Sequence, residues 1–343
     1  MQYFANKMWQ NMTTVSEFLL LGFGDLPELQ GLLFLLFLVI YLVTMAGNLL
    51  ILVLAVTDRH LHTPMYFFLG NLSLLEACYS SNLVPKLLSS LLTEEKSISI
   101  KACFTQFTLF SGLAGTECYL LAMMSYDRYL AICKPLHYAI LMSGRLSIQL
   151  AAVSWVSGIL VSLSLTVTVS QLSFCGPNEI DDYFCDVSSN VRHISCSDTY
   201  LFELSAFIFT SIFTLPPFIL TVASYVLIIL TILRIPSTSG RRKTFSTCSS
   251  HLTVVAMYYG TLMLVYMLPR SSDLSQVKKV FSLFYTVLTP MFNPLIYSLR
   301  NMEVRAAAMP PPGKNLIAWG LGLTPMNKQM ALAFSAKPLP NLD

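Results

Sequence analysis

Seven long stretches of apolar residues divide the chain, and each is long enough to cross a lipid bilayer. Five contain no Asp, Glu, Lys or Arg: Leu29–Thr57, Leu146–Asn178, Leu204–Leu233, Thr244–Pro269 and Val280–Leu299. Two contain one acidic residue each, Glu76 within His60–Pro85 and Glu117 within Ala102–Tyr126. A helix needs about 20 mostly apolar residues to cross the hydrocarbon core, where it satisfies its own backbone hydrogen bonds. The pattern predicts an all-α integral membrane protein, a bundle of seven transmembrane helices.

The distribution of charge predicts how this bundle is oriented. Of the 343 residues, 55% are hydrophobic and only 11% are charged, whereas a soluble domain carries roughly 25% charged residues. If the N-terminus lies outside, most of the Lys and Arg residues fall on the inner side. Cytoplasmic loops are enriched in these residues, so we expect the N-terminus outside and the C-terminus in the cytoplasm, with the lipid bilayer as the surrounding solvent.

The ends of the chain differ from the seven spans. Residues 1–28 form the predicted extracellular tail, residues 29–301 the seven-transmembrane domain and residues 302–343 the cytoplasmic tail. Asn11-Met12-Thr13 in the outer tail is a glycosylation acceptor motif. The cytoplasmic tail contains Met309-Pro310-Pro311-Pro312, which ends any helix, and it then shows no sustained helical or strand period. We therefore expect it to be disordered.

Four cysteines lie on the predicted outer side. Cys103 stands at the start of the third span, and Cys175, Cys185 and Cys196 lie in the long loop after the fourth. This side of the membrane is oxidising, so two disulfides are expected. Four cysteines allow three pairings.

A series of motifs runs along the chain in a fixed order. Asp127-Arg128-Tyr129 stands at the inner end of the third span, where a carboxylate can hold a guanidinium in one state and release it in another. An Arg that extends its charge to water from a helix end is the alternative. The other motifs are Thr14–Phe23, Gly47-Asn48, Leu61–Ser73, Ser224-Tyr225, Arg242–Val254, Tyr258-Tyr259-Gly260 and Pro290–Asn301. Together, over about residues 11–305, they resemble the odorant (olfactory) receptor family of rhodopsin-like G-protein-coupled receptors.

The resemblance implies a multi-pass odorant receptor of the plasma membrane. It would bind small, volatile, largely apolar organic molecules and activate a heterotrimeric G protein of the stimulatory olfactory type, which raises cAMP. The residues that the family implies for coupling and switching are Asp127, Arg128, Tyr129, Tyr225, Arg242, Lys243, Asn293, Pro294 and Tyr297. The family also tethers the third span to the middle of the outer loop. That favours Cys103–Cys185 and leaves Cys175 for Cys196. The family's short basic helix after the seventh span is broken here at Met309.

One face of the third span predicts the ligand site. Phe107, Phe110, Ser111, Ala114 and Cys118 follow helical spacing and share a face that is apolar with one small hydroxyl. By resemblance, Phe110 occupies the position where amine receptors carry an Asp, which argues against a cationic ligand. The residues expected to face this side from spans five, six and seven are Phe209, Thr210, Phe213, Tyr259, Leu262, Met263, Tyr266, Leu283 and Thr286. For each of them, packing between helices is the alternative.

Two carboxylic acids lie inside the membrane, where a charge is costly. Glu76 and Glu117 fall at depths that, in the rhodopsin-like family, face each other around a sodium ion, with Asn48 and Asn293 beside them. A bound cation such as sodium would remove the repulsion between the two carboxylates. Protonated acids that hydrogen-bond between helices are the alternative. We expect no other cofactor.

Other classes of protein lack support in the sequence. It contains no His-Glu-x-x-His, Gly-x-Ser-x-Gly or phosphate-binding glycine loop, and His251 at the inner side has no partner motif, so we expect no enzyme. Transporters usually contain two related halves, whereas here the number of spans is odd and no halves correspond. No nucleic-acid partner is expected.

Overall fold

Seven long helices form the bundle in a computed structural model that describes residues 15–24, 27–93, 95–175, 178–267 and 272–300. They are α1 (Pro27–Thr57), α2 (Pro64–Thr93), α3 (Ile100–Cys133), α4 (Gly144–Ser170), α5 (Tyr200–Leu233), α6 (Thr238–Met267) and α7. The last consists of Ser272–Leu283, a π-helical turn Phe284–Leu288 and Thr289–Arg300. Six of the seven are apolar enough to cross a membrane by length and composition. The exception, α2, has 30 residues and carries Glu76 and Lys86. The predicted seven-helix fold is confirmed.

Some helix boundaries differ from the apolar stretches. The second helix begins at Pro64, a residue suited to the first helical position, and continues past Lys86 to Thr93. A lysine near the end of a span need not interrupt it, because its long side chain reaches the polar boundary. The fourth helix ends at Ser170, well before Asn178, because the apolar residues that follow it belong to the outer loop.

The distribution of polar and apolar side chains in the bundle is the reverse of that in a soluble protein. Its perimeter exposes apolar side chains such as Leu32, Val156 and Ile219. Its interior buries polar side chains, including Asn48, Glu76, Ser125, Asp127 and Asn293. Polar groups satisfy one another inside a bilayer and lipid solvates apolar ones, so this arrangement suits a membrane.

The third helix is the centre of the bundle, packed against α2, α4 and α5. Its contact with α4 depends on small residues. A Cβ atom added to Gly158 would lie 2.2 Å from Thr116 Oγ1 and 2.4 Å from the carbonyl oxygen of Gly112. Only glycine allows the two backbones to approach this closely, as is typical of helix pairs in membranes.

A small cap covers the outer end. Strand β1 (Glu17–Leu20) pairs antiparallel with β2 (Ser97–Ser99) and parallel with β3 (Glu179–Ile180). Disulfides join Cys103 to Cys185 and Cys175 to Cys196, the pairing that the family resemblance favoured. The all-α prediction omitted this sheet, because its strands have two to four residues and come from three distant segments. A short helix, Val187–Ile194, completes the outer loop.

Candidate functional site

The inner end of α3 carries a hydrogen-bonded group around a buried carboxylate. Asp127 Oδ2 accepts from Arg128, with 2.9 Å to Nη2 and 3.3 Å to Nε. Its other oxygen accepts from the Tyr138 hydroxyl of the second inner loop at 2.8 Å. Burial, and next the Asp127 charge, raise the pKa of Tyr138 above 10, so this hydroxyl remains a donor. Tyr129 does not join the group; it stacks on Tyr126 at a ring distance of 6.2 Å.

A second bond at the inner end joins α5 to α6. The Tyr225 hydroxyl lies 2.5 Å from His251 Nδ1, and both side chains are buried. No motif in the sequence pairs His251 with another residue, because Tyr225 lies 26 residues away. Tyr297 is also buried, but its hydroxyl has no hydrogen bond within the described part of the chain. Arg242 is exposed near the start of α6, whereas the side chain of Lys243 is outside the described residues.

The middle of the bundle contains a group of buried polar side chains from α1, α2 and α7. Asn293 Nδ2 donates to Glu76 Oε1. Asn48 Nδ2 donates to the carbonyl oxygens of Thr44 and Pro290 at 3.0 Å each, so it fastens α1 to the turn that precedes Pro294. Three buried acceptors here have no hydrogen-bond partner in the described chain, namely Asn48 Oδ1, Glu76 Oε2 and Asn293 Oδ1.

Glu117 completes this polar centre from α3. It is buried, and its carboxyl group is close enough to Glu76 for an electrostatic interaction. The structure therefore joins Asn293 to Glu76 by a hydrogen bond and Asn48 to the same part of α7, and Glu117 lies within electrostatic range of Glu76. Carboxylate and amide oxygens are the ligands that hard cations prefer. Within the described residues no cluster of three or more His, Cys, Asp or Glu could hold a metal, so amide oxygens would have to supply part of the coordination.

Phe110 occupies the centre of an aromatic cluster in the outer half of the bundle. Its ring lies 4.9 Å from Phe184 of the outer loop, 5.6 Å from Tyr79 on α2 and 6.1 Å from Tyr285 on α7. The loop is fastened there by Tyr183, whose hydroxyl lies 2.6 Å from Thr286 Oγ1 and accepts from Ser282 at 3.1 Å. Sequence reasoning missed Tyr79, Tyr183, Phe184 and Tyr285.

The rest of the predicted α3 face is turned toward α6 and the cap. The Ala114 carbonyl accepts from Tyr258 at 2.6 Å, and the Cys118 carbonyl accepts from Tyr259 at 3.1 Å. Ser111 donates to the Phe107 carbonyl at 2.7 Å, and Phe107 packs beneath the cap. Tyr258, like the aromatic residues of α2 and the loop, was not predicted as a site residue.

The candidates from the other helices differ in burial. Leu262 packs on the inner hydrophobic core, Phe213 on the core beneath the cap and Leu283 on the Phe110 cluster. Met263 and Phe209 are half-buried, whereas Thr210 is exposed. The exposure of Thr210 gives no support for a place in an enclosed pocket. The side chain of Tyr266 is outside the described residues, as is Asn11, the predicted glycosylation acceptor.

A buried lysine fastens the cap to the bundle. Lys279 of α7 donates to Asp181 Oδ1 at 2.5 Å and to the Gly22 carbonyl at 3.0 Å. The neighbouring Asp182 is buried, and its burial, followed by the charge of Asp186, raises its pKa well above 3.8. No sequence pattern suggested this contact, because Gly22 and Lys279 are 257 residues apart.

Comparison with known proteins identifies the family to which these features belong. The family model described as "Olfactory receptor" matches residues 37–310. Human olfactory receptor 10A7 is 49% identical over 298 residues, covering 87% of this chain and 94% of that protein. Human olfactory receptor 10C1 is 51% identical over 300 residues, covering 88% and 96%. Mouse olfactory receptor 5AP2 is 48% identical over 298 residues, covering 87% and 94%. The chain therefore belongs to the olfactory receptor family, whose members are multi-pass odorant receptors of the plasma membrane and not enzymes.

Proposed function

We propose that this receptor binds small, largely apolar, uncharged organic molecules in a pocket among α3, α5, α6 and α7. The supporting observation is the chemistry of the α3 face. It consists of Phe110, Ser111, Ala114 and Cys118, with no charged group, and at its inner end Cys118 contacts the hydroxyl of Tyr259. Apolar sites with a few placed polar groups are typical for uncharged small molecules.

The outer loop and α2 enlarge the proposed site. Phe184 contacts Phe110 from above, and Tyr79 contacts it from the side. A ligand that replaces part of this aromatic contact would shift Phe184 and the neighbouring Tyr183. Tyr183 is bonded to Thr286 in the π-helical turn of α7, and π-helical turns are frequent at functional sites. Through this bond, the shift caused by ligand binding would be transmitted to α7.

The inner end carries the proposed switch. The Asp127 carboxylate accepts a hydrogen bond from the Arg128 guanidinium, and the Tyr225–His251 hydrogen bond joins α5 to α6. An outward swing of α6 would break the second bond and open a cleft to which Arg242 contributes charge, with Lys243 next to it in the sequence. Arg128, Tyr225 and Tyr297 would then rearrange together, and Asn293-Pro294 would serve as the hinge of α7.

Exposed apolar residues on the second inner loop support a protein partner at this end. Leu136 is 90% exposed and Ile140 is 79% exposed. They follow the Asp127-Arg128 pair in the sequence and lie beyond the end of α3 at Cys133. Apolar side chains that project from a cytoplasmic loop mark an interaction surface. The partner we propose is a heterotrimeric G protein of the stimulatory olfactory type, which raises cAMP.

We also propose that the polar centre binds a sodium ion. Glu76, Glu117, Asn48 and Asn293 would supply its oxygen ligands, and the three unpaired buried acceptors would gain a partner. An ion of this kind can shift the receptor between states only if its affinity for the two states differs.

A cAMP assay with two arginine variants tests the proposal. Cells that express the receptor are screened with a panel of volatile molecules, and the ligand that responds best is applied to Arg128→Ala and Arg145→Ala. Arg145 is an exposed residue at the start of α4 and serves as the matched control. We expect Arg128→Ala to lose the cAMP response while ligand still stabilises the purified receptor against heat, and Arg145→Ala to respond as the parent does. Equal responses from the parent and Arg128→Ala would refute the switch.

A further inference from the structure

An open groove of about 500 Å³ lies between the outer halves of α2 and α3 and beside strand β2. The polar residues of its lining are Asn82, Lys86, Ser97, Ser99, Thr105 and Gln106. The groove is separate from the aromatic cluster around Phe110, and the residues proposed for ligand binding and coupling do not line it. Three of its residues, Ser99, Ala102 and Thr105, are exposed, so the groove opens away from the bundle interior.

The depth of the groove places it at the level of the lipid headgroups. An α-helix rises about 1.5 Å per residue, so α2 is about 45 Å long, against a hydrocarbon core of about 30 Å. Lys86 lies about 10 Å below Thr93 at the outer end of the helix. With the helix centred in the membrane, Lys86 is close to the boundary between hydrocarbon and headgroups. Its side chain can therefore meet the polar part of a lipid.

The floor of the groove is held in place by reciprocal amide contacts. Asn82 Nδ2 donates to the Gln106 carbonyl, and Gln106 Nε2 donates to the Asn82 carbonyl, each at 3.0 Å. Gln106 Oε1 accepts from the backbone nitrogen of Cys185 at 2.9 Å. These bonds tie α2, α3 and the outer loop together, so the shape of the groove is set before a ligand enters.

Lys86 brings a positive charge whose partners are neutral. Its Nζ donates to the carbonyl oxygen of Ser97 at 2.7 Å and to that of Glu95 at 3.4 Å. Within the described part of the chain, no carboxylate lies within 4 Å of this ammonium. An ammonium group has three donors, and two of them are used among the described residues. With no carboxylate near it among those residues, this ammonium suits an anionic ligand.

A hydroxyl donor lies in the same groove. Ser99 Oγ accepts from the backbone nitrogen of Ala102 at 3.3 Å, which leaves its hydroxyl hydrogen available for donation. Below it, Leu109 follows Thr105 by one helical turn on the same face of α3 and is 50% exposed. The groove therefore presents a cation and a hydroxyl at headgroup level with an apolar side chain deeper in the membrane.

We infer that this groove binds the phosphate group of a phospholipid of the outer leaflet. Lys86 and Ser99 would donate to the phosphate oxygens, and an acyl chain would lie along Leu109. Charge-assisted hydrogen bonds from an ammonium to a phosphate are among the stronger polar contacts. Because the floor is bonded to Cys185, an occupied groove stabilises the outer loop together with α2 and α3.

Thermal unfolding of purified receptor tests this site. The protein is prepared in a maltoside detergent, which carries no phosphate, and titrated with phosphatidylcholine, with diacylglycerol or with inorganic phosphate. Lys86→Gln removes the charge, and Lys101→Gln is the matched control, because Lys101 is an exposed lysine at the start of α3 that does not line the groove. We expect phosphatidylcholine to raise the Tm of the parent and of Lys101→Gln, with about tenfold weaker apparent affinity for Lys86→Gln, a factor of ten being typical for one charge-assisted bond.

The other outcomes contradict the inference. An equal rise in Tm with diacylglycerol would mean that acyl chains alone stabilise the protein, and an equal rise with inorganic phosphate would mean that the groove holds a free ion and not a lipid. Equal responses from the parent and Lys86→Gln would remove Lys86 from the site.

If Lys86→Gln does not fold, a phospholipid with a photoreactive headgroup is cross-linked to the parent and mapped by mass spectrometry. Cross-links should concentrate in residues 82–106, and an even distribution over the outer surface would overturn the proposal.

Discussion

At the scale of single residues, the polar centre contains three buried acceptors without a hydrogen-bond partner in the described chain. They are Asn48 Oδ1, Glu76 Oε2 and Asn293 Oδ1. Leaving a buried polar group unpaired costs about 1–3 kcal/mol. A single cation would satisfy acceptors from three helices at once, whereas a proton on Glu76 Oε2 would pair that oxygen with one amide oxygen and leave the other without a partner in the described chain.

The variant Glu117→Gln separates these two explanations. It keeps the shape of the side chain and its capacity for hydrogen bonding but removes one charge from the proposed ion site. We expect sodium, compared with a bulky organic cation, to raise the Tm of the parent and not that of Glu117→Gln, because a ligand that binds only the folded state stabilises it. If neither protein responds to sodium, the acids are protonated groups that pack between helices.

The buried Asp182 in the outer loop predicts a pH effect of a defined sign. Its pKa is raised well above 3.8, so the folded protein binds the proton more tightly than the unfolded chain does. Stability from this group is therefore complete below pH 3.8 and is lost as the pH rises through the raised pKa. We expect Asp182→Asn, which stays neutral, to unfold at a higher temperature than the parent at neutral pH and to lose that advantage in acid. A difference in Tm that does not change with pH would contradict this assignment.

At the scale of the helices, the α3–α4 contact is the closest approach in the bundle that a glycine makes possible. Gly158 leaves no room for a methyl group next to Thr116 and Gly112. The opposing surface is helix backbone and a buried hydroxyl, so it cannot move aside as the end of a flexible side chain could. This contact holds α3 at the centre of the bundle, where it carries both the ligand face and the Asp127-Arg128 pair.

The glycine variants Gly158→Ala and Gly260→Ala test the importance of this contact. A Cβ atom on Gly260 would meet nothing within 4 Å, so it controls for the general effect of alanine in a membrane helix. Overpacking typically costs about 1–3 kcal/mol, and we expect Gly158→Ala to lower both surface expression and Tm. Similar values for the two variants would show that the helices adjust without loss.

At the scale of the whole molecule, bonds between distant segments connect the two ends of the bundle. The outer loop is fastened to α7 through Lys279–Asp181 and Tyr183–Thr286. In the middle of the bundle, the hydrogen bond from Asn48 to the Pro290 carbonyl joins α1 to α7. The Tyr225–His251 bond closes the inner end between α5 and α6. A shift in the outer loop can therefore reach the inner end through α7, or through α3, to which Cys185 is joined by a disulfide and a hydrogen bond.

Loss of the inner bond should release α6 without ligand. His251→Phe keeps an aromatic side chain but removes the hydrogen-bond partner of the Tyr225 hydroxyl. One hydrogen bond contributes about 1 kcal/mol, so we expect basal cAMP to rise about fivefold. The control is Thr253→Val, which removes an exposed hydroxyl whose hydrogen bond, to the Ser249 carbonyl, lies within α6. Unchanged basal cAMP in His251→Phe at equal surface expression would show that this bond does not restrain α6.

The seven spans, the ordered motifs and the placement of the cysteines follow from the sequence by itself. Apolar runs of sufficient length have one stable form in lipid, so α1 to α7 could be predicted before any contact was known. The helical spacing of Phe110, Ala114 and Cys118 likewise placed them on one face of α3, although spacing could not tell which neighbour each of them meets.

Only the tertiary structure decided which side chains meet across the bundle. The rotation of each helix about its axis, and the path of a loop without periodicity, depend on packing between segments far apart in the chain. For that reason the contacts of Phe110 with Tyr79 and Phe184, and that of His251 with Tyr225, could not be predicted from the sequence around each residue. The cap has the same origin: strands of two to four residues are too short to show an alternating pattern, and they form because the disulfides and the bundle hold them side by side.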